Sequence, residues 1–111
     1  GFNLQGEDIF VNIAGGIKIT EPAIDMAVAA AIAGSFQNKV IDPYTILMGE
    51  IGLTGEVRSI VQLEPRITEA RKLGFRRCVI PYSAKKAKTL PTGSMETHYV
   101  KTLAEAFEIV L

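Results

Sequence analysis

The sequence predicts an α+β domain in which helices pack in layers on a mixed sheet, and three observations carry that expectation. Short β-branched or aromatic runs alternate with helical repeats along the 111 residues, which is the order that strands and crossover helices produce. Residues 23–33 contain six alanines and a single polar residue, Asp25, and alanine is the strongest helix former. Residues 62–80 pass from an amphipathic repeat through Gly74 into an apolar run, a helix, glycine stop and strand in sequence.

Taken in order, residues 8–13 alternate and suit a strand, Gly15-Gly16 breaks it, and residues 17–19 lead into Thr20 as a helix N-cap. Pro22 fits the first turn of the central helix, and Glu21 and Asp25 complement its dipole, which is also the plain alternative to reading them as an acid/base or metal pair. Gly34 and Ser35 mark its expected end, and the small, apolar side chains around it predict burial on most sides. Asp42-Pro43 punctuates. Residues 44–51 then read as one buried strand, followed by a tight turn at Leu53-Thr54-Gly55 and a returning strand at 56–60. Residues 62–73 place Leu63, Ile67, Ala70 and Leu73 on one helical face with Pro65 in the first turn. A strand at 75–80 is closed by Pro81, residues 83–88 form a helical turn, residues 91–94 a loop, and residues 97–100 a short strand. The last helix, 102–110, has Thr102 as its cap and Glu105 in the capping-box position.

Composition bounds the function. Twelve basic and 12 acidic residues cancel, so net charge alone selects neither nucleic acid nor a membrane as partner. The distribution is uneven: nine basic residues (Arg58, Arg66, Arg71, Lys72, Arg76, Arg77, Lys85, Lys86 and Lys88) face only Glu64 and Glu69 between 58 and 88. Their clustering fits either a phosphate-contacting surface or a solvated face. The single cysteine, Cys78, excludes an internal disulfide, suits a reducing cytoplasm and reads as a packed strand residue. His98 is the one histidine and has no metal-ligand spacing around it, no phosphate-loop glycine pattern occurs, and the central helix is too short to span a membrane. Glu50, set between glycines, reads either as a functional carboxylate or as a strand residue bonding loop amides.

Three patches carry a resemblance. The runs NIAGGIKITEPAIDMAVAAAIAGSF, GEIGLTGEVRSI with QLEPRITEARKLGF behind it, and CVIP closely resemble the C-terminal domain of the RadA (Sms) family of bacterial DNA-repair proteins, itself similar to the proteolytic domain of Lon. The resemblance implies a fold like the second domain of ribosomal protein S5. In Lon proteases a nucleophilic serine follows the proline that opens the central helix, and a lysine opens the helix after the glycine-rich hairpin. Here those positions are Ala23 and Glu64. Alanine cannot attack and glutamate carries the wrong charge to replace a lysine base, so the resemblance implies a scaffold without peptidase chemistry. The alternative is a working Ser–Lys peptidase that uses another serine, from Ser35, Ser59, Ser83 or Ser94.

The resemblance further implies that residues 1–111 are one Lon-like domain lacking its first strands and helix. The zinc-binding motif and the ATPase of such proteins would lie upstream, so zinc, ATP and magnesium are expected there and no cofactor here. It also implies single-stranded or branched DNA as partner in repair and recombination, and assembly as a hexameric ring. Arg71, Lys72, Arg76, Arg77, Lys85, Lys86 and Lys88 are the candidate DNA contacts, and Tyr44, Met48 and Leu53 a candidate surface between subunits.

Overall fold

The structure is a computed structural model that describes residues 22–87 and 89–111. The expected strands at 8–13 and 17–19, the Thr20 cap and Glu21 lie outside the described residues, as does Lys88. A 3-10 turn, Pro22–Ile24, leads into α1 (Asp25–Phe36); β1 (Thr45–Leu47), β2 (Glu50–Ile51) and β3 (Val57–Arg58) follow. Next come α2 (Leu63–Lys72), β4 (Arg77–Pro81), a 3-10 turn at Tyr82–Lys86, β5 (Glu96–Val100) and α3 (Leu103–Val110). The protein is α+β, as its sequence predicts.

Among the described residues the strands form two ladders. β1, β4 and β5 make a parallel sheet with β4 in the centre, and β2 and β3 make a separate antiparallel hairpin. The central position of β4 follows from its composition: Cys78, Val79, Ile80 and Pro81 are all buried, as a strand covered on both faces requires. Alternation then divides the core. Leu47, Val79 and Val100 point to one face, where Met26 and Ala30 of α1 and Ala106 and Val110 of α3 cover them. Cys78 and Ile80 point to the other face, against Ile67 of α2, Met48 and Met95.

The single strand expected over 44–51 is two strands in different ladders. Gly49 is the joint: its N–H donates to the Ala23 carbonyl at 3.0 Å, and its carbonyl accepts from Met26 N–H at 3.1 Å. The helix start is thus bonded where a continuous strand would have kept its ladder. The glycine is needed for the approach, because a Cβ there would stand 3.0 Å from Val57 Cγ1 and 3.1 Å from Met26 Cε. Ile51 N–H donates to Asp25 at 3.4 Å, which fastens β2 to the same helix turn.

Both longer helices end in Schellman motifs. α1 ends at Phe36, one residue past the expected end at Gly34 and Ser35; Gly34 is buried within the helix, and Asn38, at φ 54°, supplies the left-handed residue. Lys39 N–H then reaches the Gly34 carbonyl at 2.8 Å and Asn38 N–H the Ser35 carbonyl at 3.2 Å. α2 ends at Gly74, φ 95°, with Phe75 N–H on the Ala70 carbonyl at 3.1 Å. Full burial on α1 follows the row Met26, Ala30 and Gly34; Ile32 and Phe36 are exposed, and the other positions of the helix are half-buried. Leu73 is likewise exposed beyond the buried Ile67 and Ala70. Thr102 accepts from Glu105 N–H at 3.2 Å as expected, but the Glu105 carboxylate reaches back to Lys101 N–H, one residue before the cap.

Candidate functional site

The two positions that the resemblance aligns with a peptidase dyad line different clefts. Ala23 is buried in the turn before α1 and lines a cleft of about 440 Å³ with Ile24, Ala27, Ile46, Met48 and Phe75. Glu64 is exposed in the first turn of α2 and lines a different cleft of about 480 Å³ with Pro65, Thr68, Thr89, Leu90 and Pro91. The charged residues of the Ala23 cleft are Arg66 and Glu69. Of the serines, Ser59, Ser83 and Ser94 are exposed and make no hydrogen bond to a lysine or histidine among the described residues, and Ser35 sits half-buried near the end of α1.

The basic residues divide between the two ends of β4. At its N-terminal end, Arg76 lies over the Tyr44 ring, 4.7 Å from the centroid. Arg77 is half-buried and donates from Nε to Thr45 Oγ1 at 2.9 Å, while Thr45 in turn donates to Asp42 at 3.3 Å. Lys72 closes α2 and is exposed. Arg71 donates to the Pro91 carbonyl at 2.9 Å and packs on Gly93, so it ties a loop to the helix end. The Gly74 turn is thus flanked by Arg71, Lys72, Arg76 and Arg77, of which Arg71, Lys72 and Arg76 are exposed.

Lys85 and Lys86 occupy the 3-10 turn beyond the C-terminal end of β4, separated from Arg77 by the strand itself, roughly 13 Å at strand rise. They do not widen the Gly74 group. They join a residue that charge counting along the chain missed. Lys101 follows β5, whose Val100 pairs with Pro81, so the register sets Lys101 beside Tyr82. Its Nζ lies 4.5 Å over the Tyr82 ring, and Lys85 Nζ lies 5.5 Å from the same ring and 6.0 Å from that of Tyr99. The overlooked signal was the pairing of 81 with 100, which no linear window contains.

The remaining candidates lie in the hairpin and the sheet. Glu50 is half-buried in the hairpin opposite Arg58. Arg58 pairs with Glu56 at 3.3 Å, and the Thr54 hydroxyl, followed by backbone groups and Arg58, holds the Glu56 carboxyl below its ordinary range. His98 Nε2 meets Glu96 at 2.7 Å. Cys78 is fully buried, and desolvation pushes its thiol up while the contact to Thr97 at 3.7 Å opposes the shift. Met48 is buried against α2 and so is withdrawn from the expected subunit surface, whereas Tyr44 and Leu53 are exposed. No group of three or more His, Cys, Asp or Glu able to hold a metal occurs among the described residues, and none of their helices is long and apolar enough to cross a membrane.

A three-layer α+β domain with basic groups at both ends of a parallel sheet defines the class. The chain belongs to the family whose model is described as "Subunit ChlI of Mg-chelatase", which matches residues 1–84. It is also similar to proteins named DNA repair protein RadA: 44% identical over 111 residues to that of Halalkalibacterium halodurans and 43% over 111 residues to that of Bacillus subtilis, in each case 100% of this chain and 24% of the relative. The Streptococcus pneumoniae protein of the same name is 47% identical over 91 residues, 82% of this chain and 22% of the relative. The chain therefore spans about a quarter of the length of the curated relatives it matches. The expected resemblance to RadA stands.

Proposed function

We propose that this chain is a non-proteolytic scaffold and DNA-contacting domain of a RadA-type DNA-repair ATPase. The observation that carries the reading is the Gly74 turn, a helix-to-strand corner flanked by three exposed cations, Arg71, Lys72 and Arg76, and by the half-buried Arg77. Supporting it are relatives named for DNA repair over the whole chain. Contacts of this kind go to phosphates, so binding is independent of sequence and falls steeply with salt. For roughly four neutralised phosphates the log–log slope is about −3 on single strands and nearer −4 on duplex.

In this reading ATP, magnesium and zinc belong to upstream parts of a longer cytoplasmic protein, which would process branched recombination intermediates as a hexameric ring. Residues 1–111 would then be one Lon-like domain without its first strands and helix. The peptidase alternative gains no support from Ala23 and Glu64 lining separate clefts.

The test is fluorescence anisotropy with a labelled oligonucleotide, comparing the chain with its Lys72→Glu/Arg76→Glu variant across a salt series. The variant is expected to bind at least tenfold more weakly at 0.1 M salt, on the order of one lost phosphate contact per cation. Coincident curves would remove the Gly74 turn from the interface.

A further inference from the structure

At the opposite end of the sheet, two ammonium groups share one aromatic ring. Lys101 Nζ is 4.5 Å and Lys85 Nζ 5.5 Å from the Tyr82 centroid, so the two nitrogens are at most about 10 Å apart. Among the described residues neither ammonium has a carboxylate partner; the nearby Glu105 carboxylate is engaged by the Lys101 backbone N–H at 3.3 Å. Two cations within that span present one local patch of positive charge to an oxyanion or to neighbouring phosphates of a strand. Tyr82 is 41% exposed, so the ring holds the lysines in solvent, where an anion can reach them.

The position is fixed by rigid structure. Tyr82 and Lys101 follow directly on the paired ends Pro81 and Val100. The Lys101 carbonyl accepts from Val57 N–H at 2.8 Å and Leu103 N–H donates to the Gly55 carbonyl at 2.8 Å, so the β2–β3 hairpin braces the same corner. Carboxyl ends of parallel strands are where open α/β sheets commonly receive ligands.

We infer that Lys85 and Lys101, held over Tyr82, form a second phosphate-binding site that contacts a nucleic-acid strand at the end of the sheet opposite the Gly74 turn. The inference rests on the nucleic-acid reading and adds to it a separate place of contact. Because the lysines already lie over the ring, Tyr82 acts by positioning them rather than by stacking a base. Removing the phenol hydroxyl therefore leaves the site intact, while removing the ring releases Lys101 and leaves Lys85 only the more distant Tyr99 ring.

The experiment measures anisotropy of a labelled oligothymidylate with the full chain over a chloride series. The variants are Lys85→Ala/Lys101→Ala, Tyr82→Phe, Tyr82→Ala and Lys72→Glu/Arg76→Glu, with circular dichroism confirming that each is folded. Two lost phosphate contacts make the slope of the lysine double variant shallower by about 1.4 and weaken binding by about 25-fold at 0.1 M salt. Tyr82→Phe is expected to match the parent and Tyr82→Ala to fall between the parent and the lysine variant. If Lys85→Ala/Lys101→Ala coincides with the parent while Lys72→Glu/Arg76→Glu loses binding, this site is overturned and the functional reading survives. If both coincide with the parent, or the parent does not bind, both are overturned. Loss of inorganic-phosphate binding in Lys85→Ala/Lys101→Ala with no change in oligonucleotide binding would overturn assignment to a strand in favour of a free anion.

Discussion

Replacing Gly49 by alanine tests the joint on which the fold turns. The added Cβ would lie 3.0 Å from Val57 Cγ1 and 3.1 Å from Met26 Cε, some half an ångström inside ordinary carbon contact. Met26 is fully buried, Val57 is stiff at χ1, and the backbone of residue 49 is fixed by bonds to Ala23 and Met26, so relief falls to a shift of the Met26 side-chain end within the packed core. Overpacking of this kind costs about 1–3 kcal/mol. For a domain of this size that is a fall in Tm of about 4–8 °C per kcal/mol. Urea denaturation followed by circular dichroism measures it directly. A second variant sharpens the test, because Met26→Ala alone leaves a cavity costing about 2–5 kcal/mol, part of which the new Cβ fills. The double variant should then be less destabilised than the two singles together by at least about 0.5 kcal/mol, as for residues in contact. A cost below about 0.5 kcal/mol for Gly49→Ala, or strict additivity with Met26→Ala, would refute the packing argument.

Three further outcomes are expected. Thr102→Ala removes the acceptor for Glu105 N–H at the start of α3 and should cost about 1 kcal/mol in the same denaturation assay, while Thr102→Ser should cost little. The Cys78 thiol should resist Ellman's reagent in the native chain and react at the rate of unfolding. Its raised folded value has a definite sign: the unfolded thiol ionises first, so this contribution to stability is present below the unfolded value and is lost as pH rises, which denaturation midpoints from neutral to alkaline pH will show against Cys78→Ala. A fluorophosphonate probe should label neither the parent nor Ala23→Ser, because the residue at the base position, Glu64, lines another cleft; labelling of the variant would show that some other group serves as base.

What the sequence determined by itself are the features that arise within a few residues. The helix over 63–72, its stop at Gly74, the hairpin turn at 53–55 and the Thr102 cap were legible because a periodic face, a left-handed glycine, a tight turn and a side-chain cap are each written locally. The α+β class followed from the alternation of such pieces, and the family from patches of 25 residues or fewer. Tertiary structure decided the rest. The break between β1 and β2 depends on the helix start bonding to Gly49, a partner more than 20 residues away. The cap of α1 is a left-handed Asn38 rather than a glycine, because Gly34 is buried within the helix. The basic run of 71–88 is one cluster only along the chain. The length of β4 separates Arg76 from Lys85, and the pairing of Pro81 with Val100 delivers Lys101 to Tyr82 in its place. Charge adjacency in sequence becomes adjacency in space only where the backbone turns back, and an extended strand carries its two ends apart.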